Sequence, residues 1–242
     1  MTGRSGRVVG RSIDEMQAIV LADGDVAPRA RIDEAWPGWA DPAALVIAAD
    51  GGARHAVALD LRPAIWVGDG DSVAPGDLDR LAADGAEIRR VASAKDESDT
   101  ELAVLAAIER GADEIVVLGA LGGARTDHAL ANVGLLAHPV LAGRALLLDA
   151  GARVSFLRAP ASDGSAIERA LPGRVGDLVS LLPLGDGVEG VTTSGLRYSL
   201  TDEPLPAGPA RGLSNVREDA RATVTVRRGM LLIVESPATL PR

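Results

Sequence analysis

The sequence predicts an α/β protein in two parts: a mostly parallel α/β domain over residues 1–150, then a smaller antiparallel β domain over 151–242. Three observations predict it. Between residues 18 and 150 short apolar runs alternate with amphipathic stretches, the pattern of repeated βα units whose parallel strands are covered on both faces. After residue 150 the prolines Pro160, Pro172, Pro183, Pro204, Pro206 and Pro209 interrupt short runs, which is the texture of strands and turns. The composition is that of a globular chain, 47% hydrophobic and 24% charged over 242 residues, long enough to bury one large core or two modest ones.

In order along the first part, strands are expected at 18–22, 44–48, 64–67, 88–91, 115–118 and 145–148, and helices near 28–39, 52–60, 76–84, 99–110 and 127–137. The fourth helix carries Leu102, Leu105, Ala106 and Ile108 at helical spacing. In the second part the runs 179–182, 188–193, 222–226 and 231–234 read as strands, and Ala222-Thr223-Val224-Thr225-Val226 alternates with the period of two that an antiparallel sheet shows. No internal repeat of 20–50 residues interrupts this plan, and disorder is allowed for residues 1–16.

Charge and composition exclude several functions. With 34 acidic against 25 basic residues the net charge is −9, a field that opposes nucleic acid and anionic membranes alike. No apolar run approaches the ~18 residues of a membrane span, and residues 1–12 are Arg-rich without the apolar core of a signal peptide, so a cytoplasmic protein is expected. The absence of cysteine removes disulfides, a thiolate nucleophile and Cys-based zinc sites, and three histidines leave little metal chemistry to imidazole.

Three acidic motifs fall at or near predicted strand ends, hence on one edge of the sheet, where ligands of such folds bind. They are Asp50-Gly51-Gly52, Gly68-Asp69-Gly70-Asp71-Ser72 and Lys95-Asp96-Glu97-Ser98-Asp99-Thr100-Glu101. Asp and Gly also serve turns and helix caps on their own account. Asp69 and Asp71, two residues apart in a turn, can approach one hard cation, and Asp99 can complete an oxygen set for Mg²⁺. Asp69-Gly70-Asp71-Ser72-Val73 equally fits the short pattern of aspartate-nucleophile phosphatases. Lys95 is the only lysine among 25 basic residues and sits inside the most acidic motif, where a compact ammonium can serve phosphate. A Gly-rich stretch, Gly119-Ala120-Leu121-Gly122-Gly123-Ala124-Arg125-Thr126-Asp127-His128, leads from a strand into a helix and offers close backbone approach, free N–H groups and a guanidinium to an anion. Neither a dinucleotide-binding fingerprint nor a P-loop is present.

Together these motifs resemble the thiamine pyrophosphokinase (thiamine diphosphokinase) family. Ala49-Asp50-Gly51-Gly52, Gly68–Ser72, Lys95–Glu101 and the stretch 119–132 carry the resemblance, joined in the second part by 179–184, Thr193-Ser194-Gly195-Leu196-Arg197-Tyr198-Ser199-Leu200 and Gly212-Leu213-Ser214-Asn215. The resemblance implies a Rossmann-like ATP-binding α/β domain, a β-sandwich domain, and a homodimer with thiamine sites near its interface. It implies transfer of a diphosphoryl group from ATP to the hydroxyethyl oxygen of thiamine, leaving AMP. On matching positions it implies Mg²⁺ at Asp69, Asp71 and Asp99, with Asp71, Asp99, Lys95 and Arg125 carrying the chemistry. Asp50, Gly51, Gly52, Asp96, Gly122, Gly123, Asp127 and His128 would line the nucleotide site, and Ser214 and Asn215 would meet the thiamine pyrimidine.

The sequence departs from the family pattern at three points. Ala124 stands between the glycines and Arg125, Val216 follows Asn215 where an acidic residue is common, and no tryptophan occurs beyond Trp66, leaving Tyr198 or Phe156 to supply any aromatic platform. Readings from other classes are a diphosphokinase for another heterocyclic alcohol such as a pterin, a phosphatase with Asp69 as nucleophile, and a nucleotide sensor without catalysis. Asp71 or Asp99 is one candidate acceptor for the hydroxyl proton and His128 a second; His55 and His138 read as packing or surface residues.

Overall fold

The computed structural model describes residues 15–159 and 165–239, so the expectation for residues 1–16 falls largely outside the described residues. In the first part β1 (Gln17–Leu21), α1 (Arg29–Ala35), β2 (Leu45–Ala49), a 3₁₀ turn (Asp50–His55), β3 (Ile65–Gly68), α2 (Asp77–Ala83), β4 (Glu87–Arg90), α3 (Asp99–Glu109), β5 (Glu114–Leu118), α4 (Thr126–Leu135), a 3₁₀ turn (Pro139–Leu141) and β6 (Ala145–Asp149) follow in order. The second part contains β7 (Ala152–Ala159), β8 (Ile167–Pro172), β9 (Leu178–Ser194), β10 (Glu203–Leu205), β11 (Asn215–Val216), β12 (Arg221–Val226) and β13 (Arg228–Ser236).

The first six strands are parallel and lie in the order β4-β3-β2-β1-β5-β6. The chain winds outward from β1 to one side, then crosses back over α3 to start again at β5. The join of β1 and β5 is therefore a topological switch point, and the crevice outside their carboxyl ends is where such a sheet takes a ligand. The near-continuous apolar runs of β1 and β5 reflect burial on both faces. α3 and α4 cover one face through Ala103, Val104, Ala106, Ala107 and Leu136. Ile32, Trp36 and Trp39 in and after α1 cover the other. The small residues of α3 meet the sheet, whereas Leu102 and Ile108 flank it half-buried.

β7 turns back antiparallel on β6 through Asp149↔Ala152, and the hydrogen-bonded system continues through β13, β9, β12 and β8. The runs 179–182 and 188–193 form one strand of 17 residues, β9, whose pairing with β13 shifts at a bulge spanning Gly185 and Gly187. Beyond the bulge β9 pairs with β12, which carries β8, so one long strand belongs to two sheets. Between them lies an apolar core of Leu157, Leu171, Val179, Leu181, Val224 and Leu231. Pro183 sits where the other edge of β9 is bare between β11 and β10, so its missing N–H removes no ladder bond.

Two helices differ from expectation. α1 ends at Ala35 because Trp36 precedes Pro37 and is pushed out of the helical region to φ −133°, ψ 70°. The stretch 52–60 is no α-helix: Asp50 leaves β2 with a left-handed φ of 44°, and Gly51-Gly52 complete a tight 3₁₀ turn packed against β1.

Candidate active site

Asp50 follows β2, is 4% exposed, and anchors the site. Its two carboxylate oxygens accept from the backbone N–H groups of Gly70 (3.0 Å) and Ser72 (3.2 Å), and its carbonyl accepts from Trp66 Nε1 (3.0 Å). Gly68 packs so tightly on Asp50 that a methyl group there would stand 2.8 Å from the Asp50 Cβ. These contacts fold the turn after β3 around the aspartate. Asp69 Oδ1 then accepts from Asp71 N (3.0 Å), and Asp71 Oδ1 from Ser72 Oγ (2.8 Å). The result brings carboxylate oxygens of Asp50, Asp69 and Asp71 within 4.8 Å of one another. Burial pushes the Asp50 carboxyl above its usual range, and the nearby charge of Asp99 pushes the same way. Asp69 is held below its usual range, chiefly by the Asp71 N–H, with Ser93 and Lys95 adding to it.

The motif after β4 supplies the fourth carboxylate. Ser98 caps α3 by accepting from Glu101 N (3.1 Å), with Asp99 and Glu101 in the first turn, so the helix begins where the sequence places its cap. Lys95 Nζ lies 3.1 Å from Asp99 Oδ1. The contact lies outside hydrogen-bonding geometry, so this buried oxygen has a cation beside it and no hydrogen-bond donor. Asp96 is exposed on the same loop. The residues fit a hard cation: three carboxylates gathered at neighbouring strand ends, a fourth at the start of α3 with one oxygen lacking a donor, and no soft ligand among them.

At the switch point the loops after β1 and β5 meet backbone to backbone. Gly24 N donates to Gly119 O (2.9 Å), and a methyl group on Gly24 would collide with the carbonyls of Gly119 and Gly122. Gly122 and Gly123 are exposed there, Gly123 with φ 101°. Arg125 forks onto Asp127 (Nε 2.9 Å, Nη2 2.7 Å) at the start of α4, raising its own pKa and holding the Asp127 carboxyl well below the usual carboxylate range. His128 is exposed on the next residue.

Several residues of this edge escaped the sequence reading. Asp23 pairs with Arg54, which also reaches the Asp23 and Gly51 carbonyls, and His55 Nε2 meets Gly24 O at 2.8 Å. Arg90 closes the far side of the turn at Gly70, where a methyl group would stand 3.2 Å from its guanidinium. The Asp23-Gly24-Asp25 run after the first apolar strand is the signal that marks this loop.

Ser214 and Asn215 lie on the same edge by register, through Leu21↔Leu118↔Leu148↔Arg153↔Glu235↔Val179↔Asn215. From Asp50 they are seven strand spacings away, from β2 across β1, β5, β6, β7, β13 and β9 to β11, about 30 Å along the sheet at ~4.8 Å each. The Asn215 side chain accepts from Tyr198 N (2.9 Å) and Val216 N (2.9 Å) and donates to Tyr198 O (2.8 Å), which fixes the backbone of Tyr198, the only tyrosine, a residue 65% exposed. Ser214 has a left-handed φ of 56° and donates its N–H to Ser180 Oγ. Phe156 is 3% exposed in the core, so of the two aromatic candidates only Tyr198 presents a face.

Comparison with known proteins bears on this arrangement. The family profile described as thiamin pyrophosphokinase, catalytic domain, matches residues 38–147, and that described as thiamin pyrophosphokinase, vitamin B1 binding domain, matches 167–231. The thiamine pyrophosphokinase 1 of Oryza sativa subsp. japonica is 30% identical over 208 residues, 76% of either chain. The chain belongs to the thiamine pyrophosphokinase family. The thiamine pyrophosphokinase of Bacillus subtilis (strain 168) is 26% identical over 200 residues, 82% of this chain and 90% of that one. The crystal structure of a Bacillus subtilis thiamine pyrophosphokinase superposes with a TM-score of 0.75 at 23% identity, covering 92% of this chain and 99% of the other, and so supports the fold.

Proposed function

We propose that this thiamine pyrophosphokinase family member transfers the diphosphoryl group of ATP to the hydroxyethyl oxygen of thiamine, releasing AMP. The observation that carries the reading is the meeting of Asp50, Asp69 and Asp71 at strand ends beside Lys95 and Asp99. Asp69, Asp71 and Asp99 would hold Mg²⁺, with Asp50 shaping the turn that presents two of them. Bound there, Mg²⁺ supplies the positive charge that lets an acidic edge accept a polyphosphate. The reaction asks the chain for positioning and charge more than for covalent help. Lys95 offers a point charge to the phosphates, Gly122 and Gly123 let them approach the backbone, and Arg125 exchanges its Asp127 partner for phosphate. Asp96, Asp127 and His128 line the nucleotide beside Gly51 and Gly52.

On this reading the chain divides near residue 150, Ser214, Asn215 and the fixed Tyr198 receive thiamine, and the working unit is a cytoplasmic homodimer. The sheet supports the dimer. With about 30 Å between the carboxylates and Asn215 along one chain, a small acceptor reaches both only if a second copy brings its own thiamine end to the first copy's nucleotide edge.

Incubation with ATP, Mg²⁺ and thiamine tests the reading. AMP and thiamine diphosphate should appear in equal amounts, cease with EDTA, and fall about 100-fold or more in Asp71→Asn with an unchanged melt. Phosphate release without AMP, or undiminished turnover in EDTA, would overturn it.

A further inference from the structure

A second concave site lies at the opposite edge of the sheet. β6 stops pairing with β7 at Leu146↔Ser155, so the last residues of β7 project past the start of β6. Together with the turn Pro139–Leu141 and β8 they line an open cavity of about 660 Å³, walled in part by Leu136, Pro139, Leu157 and Ile167. That is the size of a small-molecule site. It stands at the amino ends of the parallel strands, whereas the carboxylate edge stands at their carboxyl ends, a strand length of roughly 15 Å away.

Its walls carry guanidinium groups with no ion-pair partner among the described residues. Arg158 donates to Ala137 O (3.0 Å) and Arg169 to Gly143 O (2.9 Å), and behind them Arg144 donates to the carbonyls of Ala112, Val140 and Leu141. Among the described residues none of the three has a carboxylate within 4.0 Å, in a chain of net charge −9. Arg169 is half-buried, and among the described residues it donates to one carbonyl, although a guanidinium has five N–H donors. Burial disfavours its charge, and Glu235 is the acidic group that offsets this from within the sandwich. His138 Nδ1 accepts from Val140 N (3.2 Å), so the proton of the neutral ring sits on Nε2, a further donor on the wall. Among the described residues Glu168 is the one acidic residue lining the cavity, and its carboxylate accepts from Thr225 Oγ1.

We propose that this cavity binds a small phosphate ester, with Arg158 and Arg169 taking the dianion and the apolar wall taking the organic body. Two guanidinium groups match the charge of a phosphate monoester and offer it paired donors. The site is separate from the nucleotide edge and does not depend on the reaction assigned to that edge.

Calorimetric titration of phenyl phosphate into the full chain in EDTA tests it. Without metal the carboxylate edge repels phosphate, so saturable binding reports the cavity. One site per chain is expected, at least tenfold tighter than for inorganic phosphate. Arg158→Gln and Arg169→Met should each weaken it at least tenfold, with ATP-dependent turnover unchanged. Arg158 is exposed, so its variant tests the site even if Arg169→Met alters folding. AMP and thiamine diphosphate as competitors then tell a reaction product from another phosphate ester. No saturable binding in EDTA, an affinity no better than that of inorganic phosphate, or wild-type affinity in Arg158→Gln would overturn the proposal.

Discussion

Asp50 and His55 bracket one short turn, and each holds a different neighbour. Asp50 turns two backbone N–H groups of the Asp69–Ser72 segment toward itself, and His55 and Arg54 hold the loop after β1 through the carbonyls of Gly24 and Asp23. Burial lowers the His55 pKa from its ordinary 6.5, with the adjacent Arg54 charge pushing the same way. Between that lowered value and about 6.5 the unfolded chain binds more protons than the folded one, so stability is full above pH 6.5 and declines as pH falls below it. Denaturant unfolding at pH 5, 6 and 7 should show this slope in the wild-type chain and a shallower one in His55→Gln; equal slopes would remove the role given to His55. The Asp69-Gly70-Asp71 pair was legible from spacing alone. The closeness of Asp50 to that pair was not, because it depends on a positive φ at a non-glycine residue and on adjacency of β2 and β3.

At the scale of elements, close approach of strand ends at the carboxyl edge requires particular glycines. A methyl group on Gly52 would run into the Leu21 carbonyl at the end of β1, and that oxygen belongs to backbone that cannot yield without shifting the strand. Gly76, before α2, has φ 84° and open space around its missing Cβ. Gly76→Ala should therefore cost only the left-handed backbone, about 1–2 kcal/mol. Gly52→Ala should cost about 1–3 kcal/mol from overpacking and also lower activity, since it displaces the turn that carries Asp50. Melts and steady-state rates of the two variants separate strain from displacement; a fully active Gly52→Ala would contradict the packing argument. The apolar runs of β1 to β6 showed in the sequence because burial on both faces leaves a continuous signal. β7 escaped it, since Arg153, Ser155 and Arg158 interrupt its apolar residues, and β9 looked like two strands because Pro183, Gly185 and Gly187 punctuate it.

Across the whole molecule, a buried ion cluster ties the helical layer to the second sheet. Glu235 accepts from Arg153 (2.9 and 2.8 Å) and from Arg217 (2.6 Å), Arg217 is 1% exposed, and the Arg153 guanidinium stacks 5.0 Å from the ring of Trp36 after α1. Removing the carboxylate in Glu235→Ala leaves two cations facing each other without their shared hydrogen-bonded counter-charge, with Asp177 as a further acidic neighbour of Arg217, so a loss of about 3–5 kcal/mol is expected in denaturant unfolding; a loss under ~1 kcal/mol would mean that water or Asp177 makes up the charge. The largest scale is the proposed pair of chains. If each active site joins the nucleotide edge of one copy to the Ser214–Asn215 end of the other, two different lesions complement each other. In a mixed dimer of Asp71→Asn and Asn215→Ala chains, both lesions fall in one composite site and the other site is intact. Equal mixing makes half the dimers mixed, each with one good site of two, so about a quarter of wild-type activity should return after unfolding and joint refolding. If each chain builds its site from its own two ends, every site in a mixed dimer carries one lesion and the mixture stays as inactive as its parts. Refolding each variant alone sets the baseline, and the recovered rate decides between the two assemblies.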